Sequence, residues 1–297
     1  MMELKNLLKI ITLVKTKFAL YRPLIKSLQT GLLLVTGLTG YMSARCPVMT
    51  LDIFLGLIGS LFLAISGSTV LNMVLDRDID ARMARTANRP LPAGKISVKE
   101  ALFLGLTLSL GGLIWSFSLS FLYGIVVFAG LFIDVVIYTI WLKRKTAWSI
   151  VWGGVSGGMP ILAGRVLGLG ELDIIGGLLS LSILLWIPTH ILTFSMHYSD
   201  DYARAGIPTF ASTYGHKNTR LIIALSSLGV AFSIALGLFF LGLSWGYLRL
   251  LAVLTVGMFG LVLISVFRPS ESINFGLFKY ASLYMLSSMF MVVLGVF

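Results

Sequence analysis

Nine apolar segments, each close to the length of a membrane-spanning helix, are the feature that most constrains the fold of this chain. About 20 apolar helical residues are needed to cross the hydrocarbon core of a bilayer. The segments are 24–44, 51–75, 101–119, 121–142, 147–167, 174–196, 221–243, 245–267 and 278–297. Only 12% of the residues are charged, about half the share that is typical of soluble domains. We therefore predict an all-α polytopic membrane protein with nine transmembrane helices.

The distribution of Lys and Arg predicts the orientation of these helices. If the N-terminus is cytoplasmic, 20 of the 23 basic residues lie on the cytoplasmic side, as the positive-inside rule requires. The C-terminus is then outside, in a plasma-membrane protein. Because the basic residues are scattered between spans, the net charge of +11 is explained by topology and nucleic acid is not an expected partner.

The predicted domain organisation is simple. Residues 1–23 are interpreted as a cytoplasmic amphipathic leader, because this basic stretch has no apolar core followed by a cleavage site. Residues 24–297 form a single transmembrane domain. Its spacing suggests a four-helix repeat, 24–142 and 147–267, followed by a ninth span.

Polar side chains recur every four residues where the second segment ends. Asn72, Asp76 and Asp80 project from one face if the helix continues, whereas Asp78 points elsewhere and is expected to pair with an arginine. Exposed carboxylates at a helix C-terminus each cost about 0.3–1 kcal/mol, because that end of the helix dipole is negative. A divalent cation would remove this cost, and oxygen ligands that leave room for water suit Mg²⁺. The alternative is a solvated helix end that the neighbouring arginines neutralise.

A second acidic stretch closes the sixth segment on the same predicted side. It contains Asp200, Asp201 and Tyr202. One polyphosphate–Mg²⁺ group would fit between the two stretches, with basic side chains around it, because arginine binds phosphate through paired hydrogen bonds. The candidate diphosphate-binding residues, whose alternative role is to set topology, are Arg82, Arg85, Arg89, Lys143 and Arg144.

Two charged residues and one histidine lie within the predicted spans. Asp134 and Arg165 are interpreted either as partners of each other or as substrate contacts, because intramembrane charges usually face the interior of a bundle. His190, two residues after Pro188, is either a substrate contact or a hydrogen-bonded structural residue. The one cysteine, Cys46, excludes an internal disulfide framework and a cysteine-ligated metal site.

Five motifs follow one another along the chain. The first is Asn72-x3-Asp76-x3-Asp80 with the following Arg85-Thr86-x2-Arg89-Pro90. The others are Tyr138-Thr139-x2-Leu142-Lys143-Arg144, Gly153-Gly154-x3-Gly158-x-Pro160, Trp186-x-Pro188-x-His190 and Asp200-Asp201-Tyr202-x3-Gly206-Ile207-Pro208. Together, over residues 22–215, they resemble the UbiA-type intramembrane prenyltransferases, and within them the protohaem IX farnesyltransferase (haem O synthase) branch. The resemblance implies a UbiA-like bundle of nine helices around a central cavity.

The resemblance also implies a reaction and its residues. The reaction is Mg²⁺-dependent transfer of a farnesyl group from farnesyl diphosphate to a vinyl group of haem B, at the cytoplasmic side of the lipid bilayer. The implied metal ligands are Asn72, Asp76, Asp80, Asp200 and Asp201. The implied catalytic residues are Asp76, Asp80, Asp201, Arg85 and Lys143. The implied substrate-binding residues are Asn72, Arg82, Arg89, Tyr138, Arg144, His190, Asp200 and Tyr202.

Some positions depart from the haem branch and leave the acceptor open. Thr189 stands where a second proline is usual, an asparagine is usual near Ser149, and Thr209-Phe210-Ala211 stands where Met-Leu-Pro is usual. The alternative is UbiA-type transfer to an aromatic acceptor, a quinone precursor or a lipid headgroup. A transporter is a third hypothesis. It predicts ionisable residues in several spans, whereas the acids cluster at one interface.

Overall fold

The computed structural model describes residue 17 and residues 19–45 and 49–296. Cys46 and most of the predicted leader lie outside this part of the chain. In chain order the helices are α1 (Ser27–Ser43), α2 (Leu51–Leu75), α3 (Arg77–Arg82), α4 (Val98–Leu119), α5 (Phe121–Phe132), α6 (Ser149–Leu169), α7 (Ile174–His197), α8 (Ser199–Ala205), α9 (Phe210–Phe240), α10 (Trp245–Phe267) and α11 (Glu271–Gly295). A 3-10 turn, Arg22–Ile25, precedes α1, and a π-helix, Ile133–Leu142, continues α5.

The predicted all-α membrane architecture is confirmed. Within the described residues, eight helices are long and apolar enough to cross a membrane, and α1, with 17 residues, is a shorter ninth. The third and fourth spans separate at Ser120, whose backbone is extended. The seventh span, expected at 221–243, differs most from the prediction. Helix α9 already begins at Phe210, has a kink at Gly215 (φ 79°) and ends at Phe240, so part of the predicted loop is helical.

The outward faces of the spanning helices carry large apolar side chains. Phe103 and Phe267 are examples, with exposed fractions of 74% and 77%. Apolar surface of this extent is stable only against lipid or another apolar partner. The exposed surface therefore agrees with a multi-pass membrane protein.

Short polar residues and glycines set where helices begin and end. Thr50, Ser97 and Asp173 precede α2, α4 and α7, and each side chain accepts a hydrogen bond from the backbone N–H three residues later. These bonds satisfy N–H groups that have no partner within the helix. Gly170 and Gly206, with φ of 80° and 69°, end α6 and α8 in the left-handed conformation that glycine adopts without strain.

The spanning helices pack in two groups that meet along α1 and α6. In the first group α2 packs against α1 and α4, and α4 against α5; in the second, α7 packs against α6 and α9, and α9 against α10. Helices α1 and α6 approach so closely that a Cβ atom at Gly164 would lie 1.8 Å from the carbonyl oxygen of Gly37. The short helices α3 and α8 follow α2 and α7 and touch each other. The four-helix repeat itself stays a prediction.

Arg165 is a structural residue, which corrects both sequence-based interpretations of it. Its guanidinium forms a bidentate pair with Asp173, with N–O distances of 2.7 and 2.6 Å, and donates to the Ser43 carbonyl oxygen at 2.5 Å. It thereby ties α6 to α1 and to the start of α7. Its position near the C-terminal end of α6 is remote from Asp134 and from the cavity described below, because the cavity contains residues at the N-terminal end of α6. The hydrogen bonds from Arg165 also lower the pKa of the Asp173 carboxyl.

We expect Asp173→Ala to lower the free energy of unfolding by about 3 kcal/mol, because it leaves the buried Arg165 charge without its partner and removes the N-cap of α7. Chemical unfolding in detergent would measure this change. The matched control is Asp52→Ala in the first turn of α2, where the exposed carboxylate accepts a hydrogen bond from the Thr50 hydroxyl at 3.3 Å. Equal stability of the two variants would contradict the assignment.

Candidate active site

The first acidic stretch lies at a break between two helices. Helix α2 ends at Leu75, Asp76 has a non-helical backbone, and α3 starts at Arg77. The hydrogen-bond ladder nevertheless continues through the break, because the N–H groups of Asp76 and Asp80 donate to the carbonyl oxygens of Asn72 and Asp76 at 2.9 and 2.8 Å. Asn72, Asp76 and Asp80 consequently all line one cavity of about 220 Å³, as their spacing predicts.

Asp76 forms a buried ion pair and keeps one oxygen uncommitted. Its Oδ2 atom accepts a hydrogen bond from Lys143, at the end of the π-helix. Its Oδ1 atom is buried and has no hydrogen-bond partner among the described residues. A buried carboxylate oxygen without a hydrogen bond costs free energy. This oxygen of Asp76 is therefore available to a further ligand.

Asp80 is held by the loop that follows α3. Arg89 donates to both of its carboxylate oxygens, at 3.2 and 3.0 Å, and Thr86 donates to its backbone carbonyl oxygen at 2.8 Å. The Asp80 side chain is nearly buried, whereas Arg89 is half-buried and also lines the cavity. The loop residues of the first motif therefore fold back onto its last aspartate.

Arg85 is positioned by aromatic rings. Its guanidinium carbon lies 5.1, 5.6 and 5.8 Å from the ring centroids of Phe194, Tyr198 and Tyr202, within the range of cation–π attraction. No carboxylate pairs with Arg85 in the part of the chain that the structure describes. Arg85 and Tyr202 both line the cavity, so this guanidinium is held in place with its hydrogen-bond donors available to an anion.

The π-helix brings a set of polar side chains to the cavity. Tyr138 and Lys143 line it, and the Lys143 ammonium lies 5.6 Å from the Tyr138 ring centroid. In a π-helix residues five apart share a face, and such segments are frequent at functional sites. The backbone bond from Lys143 N–H to the Tyr138 carbonyl oxygen, at 2.8 Å, has this five-residue spacing.

The second acidic stretch packs against the first. Helix α8 touches α3, and Ile79 and Met83 form a small apolar cluster with Ala205 and Ile207. Asp201 bridges the two stretches: it accepts from the Ala84 N–H at 3.3 Å and pairs with Arg204.

The hydrogen bond from Arg204 is the largest cause of the lowered pKa of Asp201, and the backbone N–H groups of Ala84 and Arg85 add to it. Asp201 lies beside the cavity wall but is not part of it. Its role as a metal ligand stays a prediction.

Several predicted site residues lie away from the cavity. Asp78 is paired with Arg144, at 2.7 and 2.8 Å, and with Arg82, at 3.6 Å, which confirms that Asp78 is an arginine partner. The hydrogen bond from Arg144 lowers the pKa of the Asp78 carboxyl. Neither Arg82 nor Arg144 lines the cavity. Asp200 is exposed on α8 and is not in the cavity wall.

His190 does not line this cavity and packs among aromatic side chains, so its assignment as a substrate contact stays a prediction. Its ring is stacked between Trp186 and Phe278, with centroid distances of 4.6 and 4.3 Å. Its Nδ1 atom is 3.1 Å from the Ser282 hydroxyl. Helical spacing placed His190 close to the acidic loop but could not show that it faces α11.

Lys26 is the cavity residue that sequence reasoning missed. It follows the 3-10 turn, lines the cavity and is partly buried, and its backbone has the left-handed conformation (φ 43°) that is uncommon for a residue with a side chain. Its backbone carbonyl oxygen accepts from the Thr30 N–H at 3.0 Å, but its ammonium makes no hydrogen bond or ion pair with another described residue. Burial lowers the pKa of Lys26 to about 8, and the charges of Arg89 and Lys143 act in the same direction. The predicted topology contained a signal for this residue. Lys26 lies at the start of the first span, and Asp76 lies at the end of the second span on the same side of the membrane.

The donor set fits Mg²⁺ that is shared with a substrate, not a closed protein cage. Within residues 19–45 and 49–296, no three His, Cys, Asp or Glu side chains come together to hold a metal. Mg²⁺ usually takes one or two carboxylates, keeps several waters and completes its shell with substrate phosphates. The uncommitted Asp76 oxygen, with Asp80 and Asn72 beside it, matches this pattern.

Comparison with known sequences gives a consistent result. The UbiA prenyltransferase family matches residues 33–285. The chain is 41% identical over 226 residues to the protoheme IX farnesyltransferase of Archaeoglobus fulgidus, covering 74% of this chain and 79% of the relative. It is 35% identical over 277 residues to the enzyme of the same name from Photobacterium profundum, covering 93% and 87%.

Solved structures with the same fold include a digeranylgeranylglyceryl phosphate synthase and a UbiA homologue from Archaeoglobus fulgidus bound to DMAPP and Mg²⁺. The first has a TM-score of 0.80 at 20% identity and covers 95% of this chain and 99% of its own. The second has a TM-score of 0.69 at 16% identity and covers 92% and 99%. At these identities the similarity describes the helical bundle alone.

Proposed function

The chain belongs to the UbiA prenyltransferase family, and we propose that it transfers a farnesyl group from farnesyl diphosphate to a vinyl group of haem B, forming haem O. It is a multi-pass membrane prenyltransferase that uses a prenyl diphosphate. The acceptor is proposed from relatives named protoheme IX farnesyltransferase that are 35–41% identical over most of the chain. The observation that carries the chemistry is the cavity, which Asp76, with one uncommitted oxygen, lines together with the cations Lys26 and Arg85. From the distribution of basic residues, we place it on the cytoplasmic side.

Binding of the diphosphate uses the cations that have no carboxylate partner. Arg85, held by three rings, donates paired hydrogen bonds to the phosphate oxygens, and Lys26 adds a point charge within the same cavity. Asp76, Asp80 and Asn72 would hold Mg²⁺ between the protein and the diphosphate. When bound, Mg²⁺ supplies Lewis-acid stabilisation of the leaving group.

Ionisation of the allylic carbon–oxygen bond develops negative charge on pyrophosphate. Lys143 and Arg89 lie beside that charge and stabilise it, since each already faces the cavity from an ion pair with an aspartate. The Tyr138 ring faces the cavity with them. Aromatic faces stabilise a neighbouring cation by about 0.5–2 kcal/mol. The vinyl carbon of haem B then forms a bond to C1 of the farnesyl group, and water adds to the resulting cation with loss of a proton.

The test of the proposed function is a comparison of acceptors. Purified protein in detergent would be incubated with farnesyl diphosphate, Mg²⁺ and either haem B or an aromatic acid, and the products identified by mass spectrometry. We expect a product whose mass is that of haem B plus a farnesyl group and a hydroxyl group. A prenylated aromatic acid together with unmodified haem would contradict the proposed acceptor and support the aromatic branch of the family.

The transporter hypothesis was based on two charged residues within the membrane, and the structure gives both of them packing partners. Arg165 serves the packing of α6 through Asp173 and Ser43. Asp134, the other intramembrane charge, accepts hydrogen bonds from neighbouring polar side chains.

Lys26→Met is expected to raise KM for the prenyl diphosphate about tenfold and to change kcat less. A charged hydrogen bond contributes about 1.5–3 kcal/mol, and the methionine keeps the length of the side chain without its charge. Steady-state kinetics at pH 7 would measure both constants. The matched control is Lys95→Met, at an exposed loop position. If both variants keep the wild-type KM, Lys26 does not bind the diphosphate.

Binding of the diphosphate by Lys26 also predicts that KM for the prenyl diphosphate depends on pH. A lysine with a pKa near 8 is protonated at pH 7 and becomes neutral as the pH rises through 8, so diphosphate binding should weaken over that interval in the wild type. The charged groups that act on Lys26 are Arg89, Lys143, Asp134 and Asp80. In Lys26→Met the rise of KM between pH 7 and pH 9 should be reduced.

A further inference from the structure

Asp134 is an intramembrane carboxylate that the proposed reaction does not use directly. It lies at the start of the π-helix, two turns from the cavity residue Lys143, and is partly buried. Its Oδ2 atom accepts from the Ser68 hydroxyl at 2.5 Å and from the side-chain N–H of Asn72 at 2.7 Å. The Ser156 hydroxyl is 3.5 Å from its other oxygen. A charged side chain within a span needs hydrogen-bond partners. Here three polar side chains surround one carboxylate and form a hydrogen-bond network with it.

The network fixes the orientation of the Asn72 amide, a group of a residue that lines the cavity. The amide nitrogen of Asn72 is fixed by Asp134, and its Oδ1 atom accepts from the Thr139 hydroxyl at 2.8 Å. A carboxylate accepts but cannot donate, so it selects the N–H₂ end of the amide. The carbonyl oxygen has two lone pairs. Thr139 engages one of them, and the other remains for a ligand in the cavity that Asn72 lines.

The π-helix is what brings Asp134 and Thr139 to the same amide. The two residues are five apart, and the Thr139 hydroxyl also lies 2.9 Å from the backbone carbonyl oxygen of Asp134. In an α-helix residues five apart would point roughly 140° away from each other. The wider π turn places them on one face, so both hold Asn72 from the same segment of chain.

We infer that Asp134 is a positioning residue that, with Thr139, orients the Asn72 carbonyl oxygen toward the metal–diphosphate group. This inference rests on the proposed function in one respect, the use of Asn72 as a metal ligand. It is independent of the acceptor. Residues that orient a metal ligand through a hydrogen bond typically change metal affinity by 10–100-fold when they are replaced.

The experiment measures metal binding without turnover. Purified protein would be titrated with Mn²⁺ in the presence of a non-reacting thiodiphosphate analogue of farnesyl diphosphate, and bound Mn²⁺ followed by electron paramagnetic resonance. Asp134→Asn keeps the volume of the side chain but can present either an oxygen or an N–H₂ group, so the Asn72 amide is free to rotate. We expect about tenfold weaker Mn²⁺ binding.

A second variant separates positioning from folding. Thr139→Val removes the hydroxyl that engages the Asn72 carbonyl oxygen, and we expect weaker Mn²⁺ binding in the same direction. The matched control is Thr39→Val in α1, a buried threonine whose hydroxyl donates to the carbonyl oxygen of Val35 in its own helix. It should bind Mn²⁺ as the wild type does. Thermal unfolding of each variant identifies any that do not fold, and Thr139→Val carries the test if Asp134→Asn is among them.

The outcomes distinguish this inference from the proposed function. Weaker Mn²⁺ binding in folded Asp134→Asn and Thr139→Val, with an unchanged Thr39→Val, supports positioning by Asp134. Wild-type Mn²⁺ binding in both folded variants overturns it, whatever acceptor the enzyme uses. If the wild type binds Mn²⁺ with the analogue and does not prenylate haem B, the proposed acceptor fails and the inference is still decided by the variants.

Discussion

Asp76→Asn is expected to lower kcat for prenyl transfer by at least about a hundredfold, while the protein stays folded. The substitution preserves the shape of the side chain but removes the charge of the carboxylate whose Oδ1 atom is buried without a partner. Loss of one preorganised electrostatic contact to a developing charge commonly costs about 10²–10³ in kcat. The measurement is the initial rate of farnesyl transfer under saturating Mg²⁺ and farnesyl diphosphate.

The matched control for Asp76→Asn is the same substitution at Asp78, two residues further along the chain. Asp78→Asn changes an exposed carboxylate that pairs with Arg144 and lies outside the cavity. We expect its rate to be within a few-fold of the wild type. If Asp76→Asn retains more than a tenth of the wild-type rate, or if Asp78→Asn loses as much, Asp76 is not the residue through which the metal and diphosphate are bound.

Lys143→Gln should lower kcat by about as much as Asp76→Asn does, but for a different reason. It removes a cation beside the leaving group, with an expected loss of about 10²–10³ in kcat. It also leaves Asp76 as a buried unpaired charge, which costs about 3–5 kcal/mol of stability when one partner of a buried pair is removed. Activity and thermal unfolding must therefore be measured on the same preparation. Lys145→Gln, at an exposed position in the same loop, should change neither.

A double variant separates the two effects of Lys143. Asp76→Asn with Lys143→Gln removes both charges, so no unpaired charge remains buried and the stability lost in Lys143→Gln should largely return. Activity should not return, because neither the carboxylate nor the ammonium is present. Recovery of activity in the double variant would show that the ion pair is structural only.

Much of the architecture was predictable because membrane-length apolar segments allow few alternatives. The positions of the spans and the alignment of Asn72, Asp76 and Asp80 followed from length and from a period of about 3.6 residues. The pairing of Asp78 with an arginine followed from the same period. Each of these features depends on residues that are close in sequence, where helical geometry is nearly fixed.

The remaining features depend on contacts between different secondary-structure elements. Arg165 finds its partner Asp173 across a turn between two helices, and His190 stacks on a phenylalanine of α11. The sequence contains both partners in each case but no spacing that joins them. Lys26 was missed because its backbone conformation and its exposure to the cavity come from the 3-10 turn, which has no strong sequence signal.

The π-helix has a consequence for how relatives of this enzyme are compared. A π-helical turn holds more residues than an α-helical turn, so it is equivalent to an insertion inside a membrane span rather than in a loop. A relative with an uninterrupted α-helix at 133–142 would require a gap in the middle of its fourth span to keep Tyr138 and Lys143 in register. An alignment that forbids gaps within spans would then match Asp134 to a residue on the wrong face. Deletions within this span are consequently a route by which the family can change its active site without altering any loop.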